Sequence, residues 1–97
     1  MRIIAKSTLR TFWEKHPDAE QPLKLWYFVA IRSEWNSFQD IKKQFGSASI
    51  VGNDRVVFNI KGNNYRLILL VLFGKNKGFI RFAGTHKEYD KIDAKNI

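Results

Sequence analysis

A short segment near the end of the chain, Thr85-His86-Lys87-Glu88-Tyr89, concentrates side chains that can transfer protons. Histidine titrates close to neutral pH and is the side chain best suited to act as a general acid or base. Tyr89 follows His86 by three residues, so both side chains would lie on the same side of a helical turn. The segment fits an active site, and it also fits a helix cap at the start of a solvent-exposed tail.

Excess positive charge is the second chemical feature of the chain. Lysine and arginine number 17 against 9 acidic residues, which gives a formal net charge of +8. This imbalance favours a polyanionic partner, RNA or DNA above all, although a basic domain without such a partner fits it equally. Three arginines, Arg55, Arg66 and Arg81, fall in predicted strands that contain no acidic residue. Because a guanidinium group binds phosphate through two parallel hydrogen bonds, phosphate binding is favoured over structural ion pairing.

Length and composition exclude several classes of protein. The 97 residues suffice for one domain, residues 1–97. The chain has no cysteine, and His16 and His86 lie far apart, so no disulfide, metal centre or other cofactor is predicted. The longest apolar run, residues 67–73, is far shorter than the ~20 residues that span a bilayer. With no uncharged run of signal-peptide length near the start, we expect a cytoplasmic protein without a membrane partner.

The periodicity of the apolar residues predicts helices first and strands second. The predicted helices cover residues 7–16, 19–34 and 37–45, and the predicted strands cover 3–5, 49–51, 55–60, 65–73 and 79–84. Ser7, Asp18 and Ser37 are the predicted N-caps, the last in a capping box with Asp40. Because the turns between the later strands are short, we predict an α+β fold. Its N-terminal helices pack on one face of a twisted antiparallel sheet, and a short helical turn follows the sheet.

The second predicted helix carries more apolar residues than one buried face needs. One row follows the helical repeat and suits the core, while Leu25, Phe28 and Val29 form a second row. Two explanations stay open for this second row. Either the fold of the chain covers it on both sides, or it contacts another protein.

Loop lengths predict which strand residues lie opposite each other. The first hairpin places Asn59 opposite Arg66, and the second places Arg66 opposite Thr85 and Leu70 opposite Arg81. One sheet face is then apolar and covered by the helices. The other face is predicted to carry Arg55, Val57, Asn59, Arg66, Ile68, Leu70, Phe79, Arg81, Ala83 and Thr85. A slip of one residue would move this whole set to the opposite face.

RNA cleavage is the chemistry that fits these residues, because RNA carries its own nucleophile in the 2′-hydroxyl group. The reaction needs a base, an acid and positive charge near the pentacoordinate phosphorane, and it requires no metal ion. His86 would transfer the proton, while Arg66 and Arg81 would stabilise the transition state. The lysines predicted to surround this end of the sheet and hold the RNA backbone are Lys61, Lys75, Lys77, Lys87 and Lys91.

Three stretches carry a family resemblance: WxxFxDIKKQF, VVFNIKGNNYRLI and FIRFAGTHKEYDKI. In this order, and over nearly the whole chain from Leu9 to Ile92, they resemble the HigB toxins of the RelE/ParE superfamily, which belong to bacterial type II toxin–antitoxin modules. The resemblance implies a RelE-like, microbial-ribonuclease-like fold. It implies a metal-independent endoribonuclease, an mRNA interferase that cuts mRNA in the A site of the small (30S) ribosomal subunit and blocks translation. It also implies a HigA-like helix-turn-helix antitoxin, for which the second helix is a candidate contact.

The positions that match the family pattern are Asn59, Arg66, Arg81, His86 and Tyr89. The resemblance implies that His86 acts as acid or base, that Arg66 and Arg81 hold the scissile phosphate, and that Tyr89 positions or stacks on a base. The residues predicted to bind RNA are Arg55, Asn59, Lys61, Asn64, Lys75, Lys77, Thr85 and Lys87.

Two alternatives use the same fold without cutting RNA. A module that only binds RNA or the ribosome predicts the same basic face but no dependence on His86. A ParE-like toxin acting on gyrase needs no RNA chemistry. A DNA-binding domain is disfavoured because the basic residues cluster on strands and turns rather than along a recognition helix. The pairing of His86 with Tyr89 beside arginines favours cleavage.

Overall fold

The computed structural model describes all 97 residues, Met1–Ile97, and has the predicted α+β architecture. In chain order the elements are β1 Arg2–Ile4, α1 Lys6–Lys15, α2 Glu20–Arg32, α3 Phe38–Gln44, β2 Ser49–Gly52, β3 Arg55–Ile60, β4 Tyr65–Leu72, β5 Lys77–Thr85 and α4 His86–Tyr89. Two 3₁₀ turns, Pro17–Ala19 and Phe73–Lys75, join neighbouring elements. None of the helices has the length and apolar character needed to cross a membrane.

The five strands form one sheet in the order β1-β5-β4-β3-β2. Strands β2 to β5 form the predicted antiparallel meander. The N-terminal strand, for which the sequence predicted no neighbour, adds a parallel edge to this sheet, because β1 pairs with β5 in parallel. Parallel neighbours need a long connection between them, and the helices together with the meander supply it.

The predicted register of the first hairpin is confirmed, and that of the second is wrong. Asn59 lies opposite Arg66, as the loop at residues 61–64 indicated. In the second hairpin Arg66 lies opposite Gly84, and Leu70 lies opposite Phe79. The turn is tighter than predicted: residues 73–75 form a 3₁₀ turn, so β5 begins at Lys77.

A β-bulge at Arg81 is the second cause of the difference. Ile68 pairs with Phe82 and Leu69 pairs with Ile80, which leaves Arg81 as the extra residue between them. An extra residue inverts the alternation of side chains beyond it. The later residues of β5 therefore exchange faces relative to the prediction: Phe82 joins the exposed face, while Ala83 and Thr85 turn toward the helices.

The helices cover one face of this sheet and form the core with it. The core includes Leu9, Leu23, Trp26, Phe58, Leu67 and Leu69. The predicted caps Ser7 and Asp18 are wrong, because α1 follows Ala5 and α2 follows Ala19, both without a side-chain cap. Ser37 does occupy the N-cap position of α3. Its side chain makes no capping hydrogen bond, however, and the Asp40 carboxylate instead accepts one from the main-chain N–H of Asn36.

Helix α2 is only partly covered by the rest of the chain. Leu23, Trp26 and Ala30 are buried. Leu25 is 65% exposed and Phe28 is 51% exposed, whereas Val29 of the same row is half-buried. Ile31, three residues after Phe28, is also exposed. Of the two explanations that the sequence left open, coverage by the chain's own fold is therefore excluded for Leu25 and Phe28.

Candidate active site

The sheet face opposite the helices, called the open face below, is floored by apolar side chains and carries the arginines. Val57 and Ile68 are buried there without belonging to the main core. The ion pairs of the molecule are Lys24 with Glu20, Lys61 with Asp18, and His86 with Asp90. No aspartate or glutamate side chain therefore lies within ion-pairing distance of Arg55, Arg66 or Arg81. The alternative that these arginines pair with acids is wrong.

Arg66 and Tyr89 form a contact at the end of the open face nearest α4. The guanidinium carbon of Arg66 lies 5.7 Å from the centroid of the Tyr89 ring, a cation–π distance. Arg66 Nη1 also donates a 3.0 Å hydrogen bond to the main-chain oxygen of Asn63. The main-chain N–H of His86 donates to the oxygen of Asn64, which attaches α4 to the turn between β3 and β4. This end of the site therefore brings together three of the four predicted catalytic residues, Arg66, His86 and Tyr89.

His86 forms a pair with Asp90. Its Nδ1 lies 3.1 Å from Oδ2 of Asp90, four residues along the chain, and both side chains are more than half exposed. From sequence, Asp90 was compatible either with simple solvation or with orienting a neighbour. The contact favours the second interpretation, because a carboxylate that accepts a hydrogen bond from Nδ1 restricts the imidazole ring and leaves Nε2 free.

Thr85 and Glu88 form a complete capping box at the start of α4. The main-chain N–H of Thr85 donates to Oε1 of Glu88 at 2.8 Å, and Oγ1 of Thr85 accepts from the N–H of Glu88 at 3.2 Å. The hydrogen bond from the Thr85 main chain holds the pKa of Glu88 below its ordinary value. The helix-cap interpretation of the segment is thus confirmed, and the active-site interpretation stays a prediction, to which the histidine–aspartate pair adds.

Arg55 and Arg81, called the arginine pair below, form a second group. Arg55 donates from Nε and Nη2 to the main-chain oxygen of Ile97, at 2.9 and 2.7 Å. Nε of Arg81 donates to the same oxygen at 3.3 Å. Asn53 Nδ2 contacts the main-chain oxygen of Lys95 at 2.9 Å. The structure therefore groups Arg81 with Arg55, although the sequence grouped it with Arg66.

The remaining predicted RNA contacts are divided between the two ends of the sheet. Asn59 is half-buried on the open face beside Arg66, as predicted. Asn64 and Lys87 are exposed near α4. The predicted position of Thr85 on the open face is wrong, because its register and its role as a cap turn it toward the helix side.

The lysines do not all lie where the sequence predicted. Lys75 and Lys77 belong to the turn that begins β5, whereas His86 follows its end, so roughly 25 Å separates them at ~3.3 Å per residue. The prediction that they surround the histidine is wrong. Lys61 is at the correct end, but its Nζ is bound to the Asp18 carboxylate at 2.7 Å.

A polar network that the sequence did not predict links Asp18, Lys61 and Tyr65. The Asp18 carboxylate accepts hydrogen bonds from both partners. The bond from Lys61, and next the bond from Tyr65, lowers the pKa of Asp18, and the bond to Asp18 raises the pKa of Tyr65. The available signal was Tyr65 itself, since a hydroxyl group on an otherwise apolar face needs a partner. His16 ends α1 and stacks on Phe12 with ring centroids 4.5 Å apart, which supports the structural role predicted for it.

No group of three or more histidine, cysteine, aspartate or glutamate side chains is arranged to hold a metal ion. Ionisable side chains at this end of the open face include the imidazole of His86 and the guanidinium group of Arg66. Tyr89 adds a half-exposed aromatic ring on which a base could stack.

The resemblance to RelE-like toxins implied helices on one side of a sheet, with arginines and a histidine at the other side. The structure has this arrangement. The family model HigB_toxin, described as the RelE-like toxic component of a toxin-antitoxin system, matches residues 19–92. The chain therefore belongs to the HigB toxin family, and the resemblance found in its motifs is confirmed.

Individual relatives match over almost the whole chain. The "mRNA interferase toxin HigB" of Escherichia coli (strain K12) is 29% identical over 96 residues, which cover 97% of this chain and 92% of the relative. The "mRNA interferase HigB" of Shigella flexneri has the same identity and coverage. The "mRNA interferase HigB" of Escherichia coli O6:H1 is 26% identical over 94 residues, which cover 95% of this chain and 91% of the relative.

Proposed function

We propose that the chain is an mRNA interferase, an endoribonuclease that cuts mRNA and blocks translation, and the toxin of a type II toxin–antitoxin module. The observation that carries the proposal is that α4 holds both the His86–Asp90 pair and Tyr89, whose ring contacts the guanidinium group of Arg66. The similarity to proteins named mRNA interferases supports it from a separate direction. The net charge of +8 suits a polyanionic substrate.

The proposed reaction uses the 2′-hydroxyl group of the RNA as nucleophile. The 2′-oxygen forms a bond to the adjacent phosphorus, its proton passes to a base, and the bond to the 5′-oxygen breaks as that oxygen gains a proton. A 2′,3′-cyclic phosphate and a free 5′-hydroxyl group result. His86 transfers a proton at Nε2 while Asp90 holds Nδ1–H, and Asp90 stabilises the imidazolium form.

Arg66 and Tyr89 act on the substrate in this scheme. Arg66 places positive charge where the phosphorane develops its negative charge, and stabilisation of that kind is often the largest single contribution to catalysis. Tyr89 positions or stacks on a base next to the scissile phosphate. The contact between the two side chains supports both roles, because it limits how far either can move.

The wider context of the proposal is the ribosome and the antitoxin. The substrate is mRNA in the A site of the 30S subunit in the cytoplasm. The partner is a HigA-like helix-turn-helix antitoxin, and the exposed apolar row of α2 is the surface proposed to contact it. Exposed apolar side chains in a row of this kind are typical of protein–protein contacts.

Induced expression in a bacterium tests the nuclease proposal. Wild type is expected to arrest growth and to produce discrete ends in primer extension on a reporter mRNA. His86→Ala is expected to lower cleavage by about 10²–10⁴-fold, the usual contribution of a general acid–base group. Asp90→Asn is expected to lower it by a smaller factor, because the ring loses its partner but keeps Nε2.

The control for Asp90→Asn is Glu14→Gln, the same acid-to-amide change at an exposed position of α1. It is expected to leave arrest and cleavage unchanged. Growth arrest by wild type without mRNA cuts would instead support RNA binding alone or an action on gyrase. Wild-type cleavage by His86→Ala would exclude His86 as the acid or base and leave α4 with a structural role only.

A further inference from the structure

The segment Asp93–Ile97, called the C-terminal segment below, lies across the arginine pair on the open face. One oxygen atom, the main-chain oxygen of Ile97, accepts three of the four hydrogen bonds that the guanidinium groups of Arg55 and Arg81 donate, and Nη1 of Arg55 donates the fourth to Asn53 O at 2.8 Å. Asn53 holds the same segment through Nδ2, which contacts Lys95 O at 2.9 Å and Asn96 Oδ1 at 3.2 Å. Two convergent guanidinium groups around one oxygen resemble the environment that proteins build for a phosphate oxygen.

The arginine pair is separate from the proposed cleavage position. Arg55 lies opposite Leu70 on β4, and Arg66 is four residues earlier on the same strand. The separation is roughly 13 Å at ~3.3 Å per residue. One phosphate group cannot span that distance, so the two positions would hold different phosphates of one RNA strand.

The contact made by the C-terminal segment uses fewer oxygen atoms than a phosphate group would offer. Both guanidinium groups share the single oxygen of Ile97, whereas a phosphate presents several charged oxygens and can bind each guanidinium through two parallel hydrogen bonds. No aspartate or glutamate side chain lies within ion-pairing distance of either arginine. Three of the five residues of the segment are exposed, and the side chains that hold it to the sheet are Arg55, Arg81 and Asn53.

We propose that Arg55 and Arg81 form a second phosphate-binding position for RNA, and that the C-terminal segment occupies this position until RNA displaces it. The proposal rests on the proposed function, because it places the second position on the same strand that is cut at His86. The segment then acts as an internal competitor. The apparent dissociation constant for RNA equals the intrinsic one divided by the fraction of molecules in which the segment is released.

Removal of residues 93–97 tests the proposal. The deletion removes one acidic and one basic residue, Asp93 and Lys95, so the net charge does not change. The measurement is fluorescence anisotropy with a labelled oligonucleotide made of 2′-O-methyl RNA, which binds but cannot be cut because it lacks the 2′-hydroxyl group. The shortened chain is expected to bind about threefold to tenfold more tightly than the full chain.

The arginines are tested in the shortened background. Arg55→Gln and Arg81→Gln are each expected to weaken RNA binding in the shortened chain. Each should also lower the slope of log affinity against log salt concentration by about one, the value for one lost phosphate contact. Lys43→Gln, at an exposed position of α3, is the matched control and is expected to change binding less than either. Unchanged or weaker binding by the shortened chain would overturn the proposal.

If the shortened chain does not fold, a full-length variant tests the same proposal. Asn53→Gly removes the amide that holds the segment, and glycine tolerates the backbone there, where φ is 49°. It is expected to tighten RNA binding in the same direction, and unchanged binding would overturn the proposal. Because the 2′-O-methyl probe is never cut, the binding measurement does not depend on nuclease activity. Failure of the nuclease proposal and failure of the second phosphate-binding position can therefore be distinguished.

Discussion

Gly84 and Phe82 determine where the Tyr89 ring lies. The Phe82 ring packs over Gly84, and a Cβ atom at position 84 would lie 2.4 Å from Cζ of Phe82. The same ring lies 6.4 Å from that of Tyr89, centroid to centroid, and Tyr89 contacts Arg66 in turn. A glycine on β5 therefore acts through two aromatic rings on the side chains proposed to contact the scissile phosphate.

Gly84→Ala is expected to displace the Phe82 ring and, through it, Tyr89. Overpacking of this kind costs about 1–3 kcal/mol of unfolding free energy. Cleavage is expected to fall by about tenfold, since small displacements of positioning groups are costly to catalysis. Denaturant unfolding and a primer-extension assay measure the two effects.

The control for this substitution is Gly74→Ala. No atom lies within 4 Å of a Cβ at Gly74, and its backbone does not need glycine. It is expected to keep wild-type stability and cleavage. Wild-type behaviour of Gly84→Ala would show that the Phe82 ring moves without shifting Tyr89.

The sequence predicted single residues well where chemistry is rare and poorly where it depends on the register. His86 was identifiable because only two histidines exist, and Arg66 because it lies in a strand without acids. The spacing of Asp90 to His86 could have indicated their contact, because residues four apart meet on a helix. The grouping of Arg81 with Arg55 was not predictable, since it depends on a bulge and on a distant segment of the chain.

At the scale of elements, the two hairpins differ in how well their sequences define the register. In the first, the turn at residues 61–64 has a well-defined length, and Lys61 and Gly62 adopt the positive φ angles that such a turn needs. In the second, Gly74, Asn76 and Gly78 offer more than one position for the turn, of which Asn76 adopts a positive φ angle, and the bulge adds a residue that no local pattern marks. Turn chemistry therefore predicted one hairpin in detail and only the existence of the other.

The network of Asp18, Lys61 and Tyr65 joins two elements that support the site. Asp18 belongs to the 3₁₀ turn before α2, while Lys61 and Tyr65 flank the turn between β3 and β4. That second turn also holds α4 through Asn64. The position of the His86 helix is thus linked to the helical layer through one carboxylate.

Acid is expected to weaken this link. The pKa of Asp18 is lowered in the folded state, mainly by the hydrogen bond from Lys61, so the unfolded chain binds more protons than the folded one as the pH falls. The contribution to stability is present above the ordinary carboxyl pKa and is lost as pH falls through the lowered folded value. Asp18→Asn is expected to lower the urea midpoint at pH 6 and to reduce its dependence on pH below 4.

The pH dependence is not expected to vanish in that variant, because the pKa of Glu88 is lowered as well. Asp54→Asn is the control, an exposed aspartate changed in the same way at a position whose backbone asparagine tolerates. It is expected to keep the wild-type profile. If Asp18→Asn shows that same profile, the carboxylate does not stabilise the fold.

At the scale of the whole molecule, two exposed surfaces of different character lie on opposite sides of the sheet. The open face carries unpaired arginines, and the helical side carries the apolar row of α2 that includes Leu25 and Phe28. The sequence predicted both surfaces from composition and periodicity. It did not predict that the C-terminal segment lies across the open face, because a short polar tail has no periodicity.

Leu25→Glu is expected to weaken binding of the antitoxin by about tenfold or more, the effect of losing an apolar anchor at an interface. The fold should be retained because Leu25 is 65% exposed. Calorimetry with the antitoxin encoded beside the toxin gene measures the effect, and Ile50→Glu on β2 is the control at another exposed apolar residue. Equal affinities for Leu25→Glu and wild type would exclude α2 as the antitoxin surface.

The position of β5 between β1 and β4 has a consequence for synthesis of the chain. The first strand has no neighbour until β5, residues 77–85, has left the ribosomal exit tunnel. Arg81 and His86 also arrive with or after that strand. Before β5 has emerged, the nascent chain therefore has neither the complete sheet nor His86, the histidine that follows this strand. If the proposed activity is correct, the ribosome that makes the toxin is not exposed to it until residues 77–86 have left the exit tunnel.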